Sequence, residues 1–260
     1  MKTVLTIAGS DPSGWAGLQA DLSVFASLGA RGLSAVAALT AQNCLEVKAT
    51  FPVPASFVKQ QVFALLDEFK VDAVKIGMLG STSNIKAAAE IIRSAKLHNI
   101  VLDPVFFSTS GYPLMKGTGV AAYKALLSFI TVVTPNLAEA QALTGLIVND
   151  VESMKEAARI LTGLGAASAL VKGGHLKGEA VDVLYDGKAY RYLCTKRLKG
   201  DNKIFHGTGC ILSSALAVGL AKGYSTGRSA QDAKEHLIET LKARGGRRQT
   251  NTSAYFTALG

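Results

Sequence analysis

The sequence predicts an α/β fold: a single three-layer α/β/α domain built around a mainly parallel central sheet. Three observations predict it. Short apolar runs alternate along the chain with longer stretches whose apolar residues recur at helical spacing. Polar, glycine-containing turns follow the apolar runs, which is where open α/β sheets collect ligands. With 48% hydrophobic residues in 260, and 26 glycines against 6 prolines, the chain holds enough apolar material for one sizeable core and many tight turns, without collagen-like or linker-like bias.

Residues 4–8 read as a buried strand, the turn-rich Gly9-Ser10-Asp11-Pro12-Ser13-Gly14 ends it, and residues 17–28 have helical spacing, so the chain opens with a strand, a loop and a helix. The alternation continues with a strand at 33–39, a helix at 55–68, a strand at 73–76 and a helix at 83–94. Strands follow at 100–102, 130–133 and 169–171, with a helix near 153–164 before the last of them and a long helical region at 209–222. Strands alternating with helices imply a mainly parallel sheet covered on both faces. Residues 181–193 differ, because Val183-Leu184-Tyr185, Asp186-Gly187 and Tyr190-Arg191-Tyr192 read as a hairpin forming an antiparallel edge. No internal repeat or interdomain linker interrupts the pattern, so residues 1–260 are expected to form one domain with a loosely held basic tail at 245–260.

Cys44, Cys194 and Cys210 are an odd, widely spaced set with no CxxC pair, which points away from a disulfide framework or a zinc site and towards a reducing compartment. The apolar run near Met1 is too short for the core of a signal peptide, and no later stretch reaches membrane-spanning length. The expected setting is therefore cytoplasmic, with no membrane partner. A formal charge of +9 raises the question of an anionic partner. Basic residues bunch at 196–203 and 242–248, but no aromatic platform, zinc finger or RNP signature accompanies them. No nucleic acid is expected; an anionic small substrate fits better.

The sharpest local signal is His206-Gly207-Thr208-Gly209-Cys210, which runs into the small-residue stretch Ile211-Leu212-Ser213-Ser214-Ala215-Leu216-Ala217. Glycines leave backbone N–H groups approachable and a helix start adds its positive dipole end, so Gly207, Thr208 and Gly209 form a candidate anion hole for a phosphoryl group. A cysteine at the same helix start has its thiolate favoured, which makes Cys210 a candidate general base; the plainer reading is a glycine turn before a buried helix with an inert thiol. Asp103 in Leu102-Asp103-Pro104, and Glu139 in Thr134-Pro135-Asn136-Leu137-Ala138-Glu139, put carboxylates just after strands. Such oxygen ligands suit magnesium, whose waters and substrate phosphates complete the shell. Val171-Lys172-Gly173-Gly174-His175 adds a cation beside flexible backbone. Taken singly, Asp103 reads more plainly as a cap, Asn136 as an Asx turn and Lys172 as a surface charge. No GxxxxGK[ST] occurs, no GxGxxG opens the first helix and there is no HExxH, so the P-loop, dinucleotide-binding and zincin readings lose their support.

The order of these segments is more informative than any one of them. Ala8-Gly9-Ser10-Asp11-Pro12-Ser13-Gly14 with Ala16-Gly17-Leu18-Gln19-Ala20-Asp21, Ala38-Leu39-Thr40-Ala41-Gln42-Asn43 and Lys75-Ile76-Gly77-Met78-Leu79 come first. Leu102-Asp103-Pro104-Val105, Thr134-Pro135-Asn136, Val171-Lys172-Gly173-Gly174-His175 and the His206 to Cys210 segment follow. Over nearly its whole length the chain thereby closely resembles the hydroxymethylpyrimidine and hydroxymethylpyrimidine phosphate kinases, the thiamin-pathway branch of the ribokinase-like superfamily. The resemblance implies a ribokinase-like fold, ATP and Mg2+ as cofactors, and phosphorylation of 4-amino-5-hydroxymethyl-2-methylpyrimidine and then of its monophosphate to the diphosphate. It implies that Gly9, Asp21, Gln42 and Met78 form the substrate side, with Asp21 and Gln42 bonding the polar ring and Met78 packing on its face. By the same resemblance Asp103 and Glu139 match the magnesium and phosphate region, Asn136, Lys172 and Thr208 the nucleotide phosphates, and Gly207, Thr208 and Gly209 the anion hole. Cys210 matches the position where this branch carries cysteine and many sugar-kinase relatives carry an aspartate base. Relatives are often homodimers, so a homodimer stays open for this chain.

The chain departs from that pattern at several positions. Trp15 stands where a small glycine is common, Phe106-Phe107 where Met-Val or a similar pair is usual, Ile204-Phe205 where Asn-Thr is frequent, and Ile211 where threonine is usual. A vitamin B6 ring bears the same hydroxymethyl handle, so a pyridoxal or pyridoxine kinase is the nearest alternative. A non-catalytic pyrimidine-binding protein is the alternative from another class, and the intact series Asp103, Glu139, Lys172 and Cys210 speaks against it.

Overall fold

A computed structural model describes residues 1–43, 45–106, 119–174, 176, 180–198 and 205–250, with side chains up to residue 245. Strand β1 (Thr3–Ser10) is followed by helix α1 (Gly17–Ser27), and strands β2 (Arg31–Gln42) and β3 (Val47–Pro52) lead to α2 (Ala55–Leu66). The alternation runs on through β4 (Ala73–Ile76), α3 (Thr82–Ser94), β5 (Ile100–Leu102), α4 (Gly119–Leu126), β6 (Val132–Val133), α5 (Leu137–Thr144), α6 (Val151–Gly163) and β7 (Ser168–Lys172). Strands β8 (Ala180–Tyr185) and β9 (Tyr190–Thr195) precede α7 (Thr208–Ala221) and α8 (Thr226–Thr250).

Among the described residues the strands form one sheet in the order β3-β2-β1-β4-β5-β6-β7-β8-β9. The six from β2 to β7 are parallel, while β3 on one edge and β8 and β9 on the other are antiparallel. Side chains on a strand alternate between its faces, so the apolar runs feed two cores at once. Leu5 and Ile7, Val74, Leu102, Val133 and Val171 face the core under α2 to α6. Val4, Ala73, Val101, Val132 and Leu170 face the core under α1, α7 and α8. These are the three layers the sequence predicts.

The order in which strands are added to the sheet reverses between the parallel neighbours β1 and β4, so the loops after them diverge and leave a crevice at their C-terminal ends. Pairing of β1 with β2 slips between Ala8 and Gly9, a bulge that re-aims the backbone as it enters that crevice. Helix α7 lies across the sheet beneath it, and every residue from Ile211 to Ala221 is buried between the sheet, α1 and α8. Such a helix is apolar on all sides because it has no solvent face.

Strand β3, helix α4 and helix α8 were not expected from the sequence. β3 buries only Val47 and pairs along one edge, so it lacks the apolar run of a central strand. α8 covers its core with a thin stripe, Ala230, Ala233, Leu237 and Leu241, inside an otherwise polar sequence. The hairpin at 181–193 forms, with Tyr185 opposite Tyr190; its loop spans 186–189 rather than two residues, since the Asp186 carboxylate accepts from the Lys188 and Ala189 N–H groups. Backbone at 245–250 continues as helix, and the remainder of the expected tail lies outside the described residues. Among the described residues no helix is long and apolar enough to cross a membrane.

Candidate active site

A cavity of about 1270 Å³ opens at the C-terminal ends of the parallel strands. The residues singled out from the sequence converge on it from separate elements: Gly9 and Gln42 from β1 and β2, Met78 after β4, Asp103 after β5, Asn136 and Glu139 at the start of α5, Lys172 at the end of β7, and Gly207, Thr208, Gly209 and Cys210 at the start of α7. Gly9 packs closely on Met78, since a Cβ there would stand 3.1 Å from the Met78 sulfur.

Beside the start of α7, Lys172 Nζ lies 2.7 Å from Asp103 Oδ1. Gly209 is packed between them, since a Cβ on it would be 3.1 Å from both Asp103 Oδ2 and Lys172 Nζ. The glycine loop therefore comes within contact of the carboxylate and the ammonium, 106 and 37 positions away in the chain, as the sequence segments separately suggested. Gly207 caps α7 at φ 76, in the left-handed region glycine tolerates, and the helix offers its first N–H groups towards the cavity. Burial works to depress the Lys172 ammonium, but Asp103 and then Glu139 outweigh it and hold it above the ordinary lysine value.

Asn136 and Glu139 form a capping box: Asn136 Oδ1 accepts from the Glu139 N–H at 2.9 Å, and Glu139 Oε2 accepts from the Asn136 N–H at 2.8 Å. Asn136 thus works first as a helix cap, where the plain reading had an Asx turn, while its backbone bridges Lys172. Burial pushes the Glu139 carboxyl up to about 7, with Lys172 opposing and Asp103 adding to the rise. Two carboxylates that repel each other across a cavity wall are a donor set a small hard cation relieves. Among the described residues no group of three or more acidic, histidine or cysteine side chains could enclose a metal. Asp103 and Glu139 fit magnesium held by few protein oxygens, with waters and phosphates supplying the rest.

Cys210 departs from the sequence expectation. Its thiol is pushed up to about 11, chiefly by burial; Lys75 and a Gly17 N–H pull it down, and Asp21 and Asp103 push it further up. The helix start does not make a thiolate here: desolvation outweighs it, and the resting chain carries a thiol.

Asp21 requires a correction. It does not line the cavity; it is fully buried, and its carboxylate accepts from Lys75 Nζ at 2.8 and 2.9 Å, Thr6 Oγ1 at 2.6 Å and Ser214 Oγ at 2.8 Å. Its oxygens are occupied, so it holds Lys75 rather than a substrate ring. Lys75, a charged residue inside the apolar strand Ala-Val-Lys-Ile, does reach the cavity floor and was missed. The signal was available, since a lysine within a buried strand demands a buried partner. Asp11 and His206 stood in quoted motifs without assigned roles. The Asp11 carboxylate accepts from Ser13 and Ala16, His206 Nε2 lies 3.4 Å from its Oδ2, and Gln42 Nε2 lies 3.3 Å from the same ring nitrogen. Asp182 and Lys234, 2.6 Å apart on the far cavity wall, carried no sequence signal, being 52 residues apart on strand β8 and an unrecognised helix.

Of the departures, Phe106 packs edge-on against Tyr123 in the core, with ring centroids 5.2 Å apart, and Ile211 is buried in the first turn of α7. Phe107, Ile204 and His175 lie outside the described residues.

A parallel sheet with its cavity at the strand ends, a glycine-opened helix and a lysine–aspartate pair beside it define a small-molecule kinase of the ribokinase-like class. The family model for phosphomethylpyrimidine kinase matches residues 11–253. A hydroxymethylpyrimidine/phosphomethylpyrimidine kinase of Streptomyces coelicolor is 42% identical over 241 residues, covering 92% of this chain and 88% of its own. Among solved structures, phosphomethylpyrimidine kinase from Clostridium difficile superposes with a TM-score of 0.82 at 35% identity, covering 93% of this chain and 100% of its own. An ADP complex of Bacillus subtilis pyridoxal kinase does so with a TM-score of 0.82 at 36% identity, covering 90% and 89%. The chain belongs to the phosphomethylpyrimidine kinase family.

Proposed function

We propose that this kinase transfers the γ-phosphoryl group of ATP to the hydroxymethyl oxygen of 4-amino-5-hydroxymethyl-2-methylpyrimidine, and then a second one to the monophosphate, giving the diphosphate used in thiamin biosynthesis. One observation carries the reading: the amides at Gly207 to Gly209, the Asp103–Lys172 pair and Cys210 meet in the lining of one cavity. Phosphoryl transfer asks little covalent chemistry of a protein and is driven by positioning and charge stabilisation. The helix-start amides and Lys172 are suited to the equatorial oxygens of the transferred group. Gln42 and Met78 are suited to the ring, and the far wall, with Leu237, Ile238 and Leu241, offers apolar surface for an adenine. Asp103 and Glu139 would hold Mg2+, which would supply positive charge against the phosphates when bound.

Cys210 faces the reacting hydroxyl in this reading, and its sulfur takes the hydroxyl proton from its thiolate fraction, with Lys75 and the Gly17 N–H drawing that fraction up. Since the thiol sits near 11, the first transfer should speed up steeply from pH 7 to 9. The second should not, because a phosphate oxygen is already ionised there. Purified Cys210→Ala should lose rate and pH slope in the first transfer and keep the second; equal losses in both would defeat the assignment.

The likeness to pyridoxal kinases favours a second reading, in which a vitamin B6 ring takes the same hydroxymethyl position. Competition between the pyrimidine, its monophosphate and pyridoxal separates the two, and turnover of pyridoxal alone would reverse the substrate assignment. A single domain over residues 1–260 is supported by one sheet that both cores share. A cytoplasmic setting accords with the unpaired Cys194 and Cys210. Exposed Leu39 and Phe51, paired across β2 and β3, support a homodimer, which sedimentation tests.

A further inference from the structure

Trp15, the single tryptophan of the chain, and Arg244 near the end of α8 have no part in the proposed transfer, yet they meet beside it. The guanidinium carbon of Arg244 lies 4.6 Å from the indole ring centroid. Its Nη1 also donates to the His206 carbonyl at 2.9 Å. The next residue, Gly207, presses against the same loop, for a Cβ there would stand 1.9 Å from the Trp15 carbonyl oxygen. Three segments close on this point: the loop after β1, the glycine loop before α7, and α8.

The peptide that joins His206 to Gly207 is planar and trans, so its C=O and N–H point in opposite directions. Holding the His206 carbonyl from the outside therefore fixes where the Gly207 N–H points, and Gly207 lines the cavity. Donation to that carbonyl also polarises the amide and strengthens its N–H as a donor. Arg244 is half-buried, and burial draws its guanidinium below the ordinary arginine value, so its charge sits where water screens it less. On the opposite side the His206 ring reaches Asp11 and Gln42, so the segment is held from both faces.

We propose that Arg244 is a positioning residue: braced on the Trp15 ring, it grips the His206 carbonyl and so aims the Gly207 N–H at the phosphoryl group, tying the register of the anion hole to the loop that borders the substrate. This deepens the proposed function and rests on it for the identity of the transferred group. An arginine stacked on a surface tryptophan without consequence is the competing account. The two differ in what they predict for kcat.

Arg244→Met removes both the donor and the planar cation that covers the indole; Arg244→Lys restores a donor and a cation. Misaiming one anion-hole amide should lower kcat by about tenfold, less than the loss of the donor outright. KM for ATP and for the acceptor should change less than about threefold, because ground-state contacts remain. Arg244→Lys should recover a large part of kcat. Without any ligand, acrylamide quenching of Trp15 fluorescence should rise in Arg244→Met and fall back in Arg244→Lys, which reads the brace independently of turnover. Kinetics are run with both the pyrimidine and pyridoxal, so an error in the substrate assignment leaves the kcat comparison intact. Wild-type kcat in folded Arg244→Met, a loss carried by KM alone, or unchanged quenching would each overturn the proposal. Should Arg244→Met not fold, Trp15→Leu, which removes the ring from beneath the cation, takes its place with the same kcat criterion.

Discussion

Replacing Asp21 by asparagine removes one charge from beneath the cavity with almost no change in volume. The native carboxylate and its Lys75 partner both have no exposed surface, and the carboxylate accepts from three side chains at 2.6 to 2.9 Å. An amide has one acceptor oxygen for these donors, turns two donors of its own towards them, and leaves the ammonium without a counter-ion. Removing one member of a buried pair in this way costs about 3–5 kcal/mol. For a domain whose total stability is on the order of 5–15 kcal/mol, that is a large fraction. Urea unfolding at pH 7 measures it as a shift in midpoint. The pH dependence gives a second handle. In the wild type burial opposes the Lys75 charge but Asp21 overcomes it and raises the ammonium above its ordinary value, so this stabilisation is present below the ordinary lysine range and fades only above it. In Asp21→Asn the largest raising interaction is gone and only the weaker pull of Cys210 and Asp103 opposes desolvation, so the folded value drops below the unfolded one and stability should rise as pH increases towards 10. Adding Lys75→Met to Asp21→Asn should recover part of the loss, since the orphaned charge is gone. KM for the pyrimidine, measured on the folded protein, should stay near the wild-type value. A midpoint shift worth less than about 1 kcal/mol together with a raised KM would refute the reasoning and return Asp21 to the substrate.

Glu139 supplies a pH-linked prediction: its carboxyl is raised from 4.5 to about 7, so the folded chain holds a proton the unfolded chain has released, and stability should fall by on the order of 3 kcal/mol as pH rises from 4.5 through 7. Glu139→Gln should flatten that slope in denaturant titrations; an unchanged slope would assign it elsewhere. Cys210 should react with iodoacetamide slowly at pH 8 and about tenfold faster for each added pH unit until its thiol near 11 is titrated, whereas a plateau by pH 8 would show a preformed thiolate. Gly207→Ala combines a left-handed φ of 76 with a Cβ 1.9 Å from the Trp15 carbonyl oxygen, while Gly145→Ala, at φ 81, meets no atom within 4 Å. Strain alone costs about 1–2 kcal/mol, so Gly145→Ala should lose only that much in a melt and stay active, and Gly207→Ala should lose more stability and nearly all turnover; equal effects would deny the close approach at Gly207.

What was legible in the sequence follows from where each element's information resides. Central strands are buried on both faces and therefore mostly apolar, so β1, β4 and β5 stand out within a residue or two of their observed bounds. Edge strand β3 and helix α8 have one narrow buried stripe each, and their polar majority hides them. The phosphate side of the site was readable because glycines and carboxylates sit directly on the connections after strands. Asp21 was misread because it lies in the motif that carries the resemblance, while its direction depends on the packing of α1: it occupies the inward face with Leu18 and Phe25, towards the sheet. No spacing rule pairs Asp21 with a lysine 54 residues away. The glycine loop's clasp by Arg244 was equally hidden, because α8 itself was not recognised.

The raised Cys210 thiol and the raised Glu139 carboxyl are two consequences of one arrangement. Along the cavity floor the charges alternate: Asp21 beneath Lys75, then Cys210, then Asp103 against Lys172, then Glu139. Two ammonium groups face two committed carboxylates, so any further negative charge has no partner left. Glu139 near neutrality and Cys210 far above it both respond by keeping their protons. The floor is thereby close to electrically balanced before any ligand arrives. A triphosphate entering such a site gains little net charge from lysines already paired with aspartates, so Lys172 adds directed N–H donors while the attraction comes chiefly from the amides at the start of α7 and from cations that accompany it. Catalytic power then rests less on stored positive charge than on the aim of those amides, which is why the packing around Gly207 bears so directly on turnover.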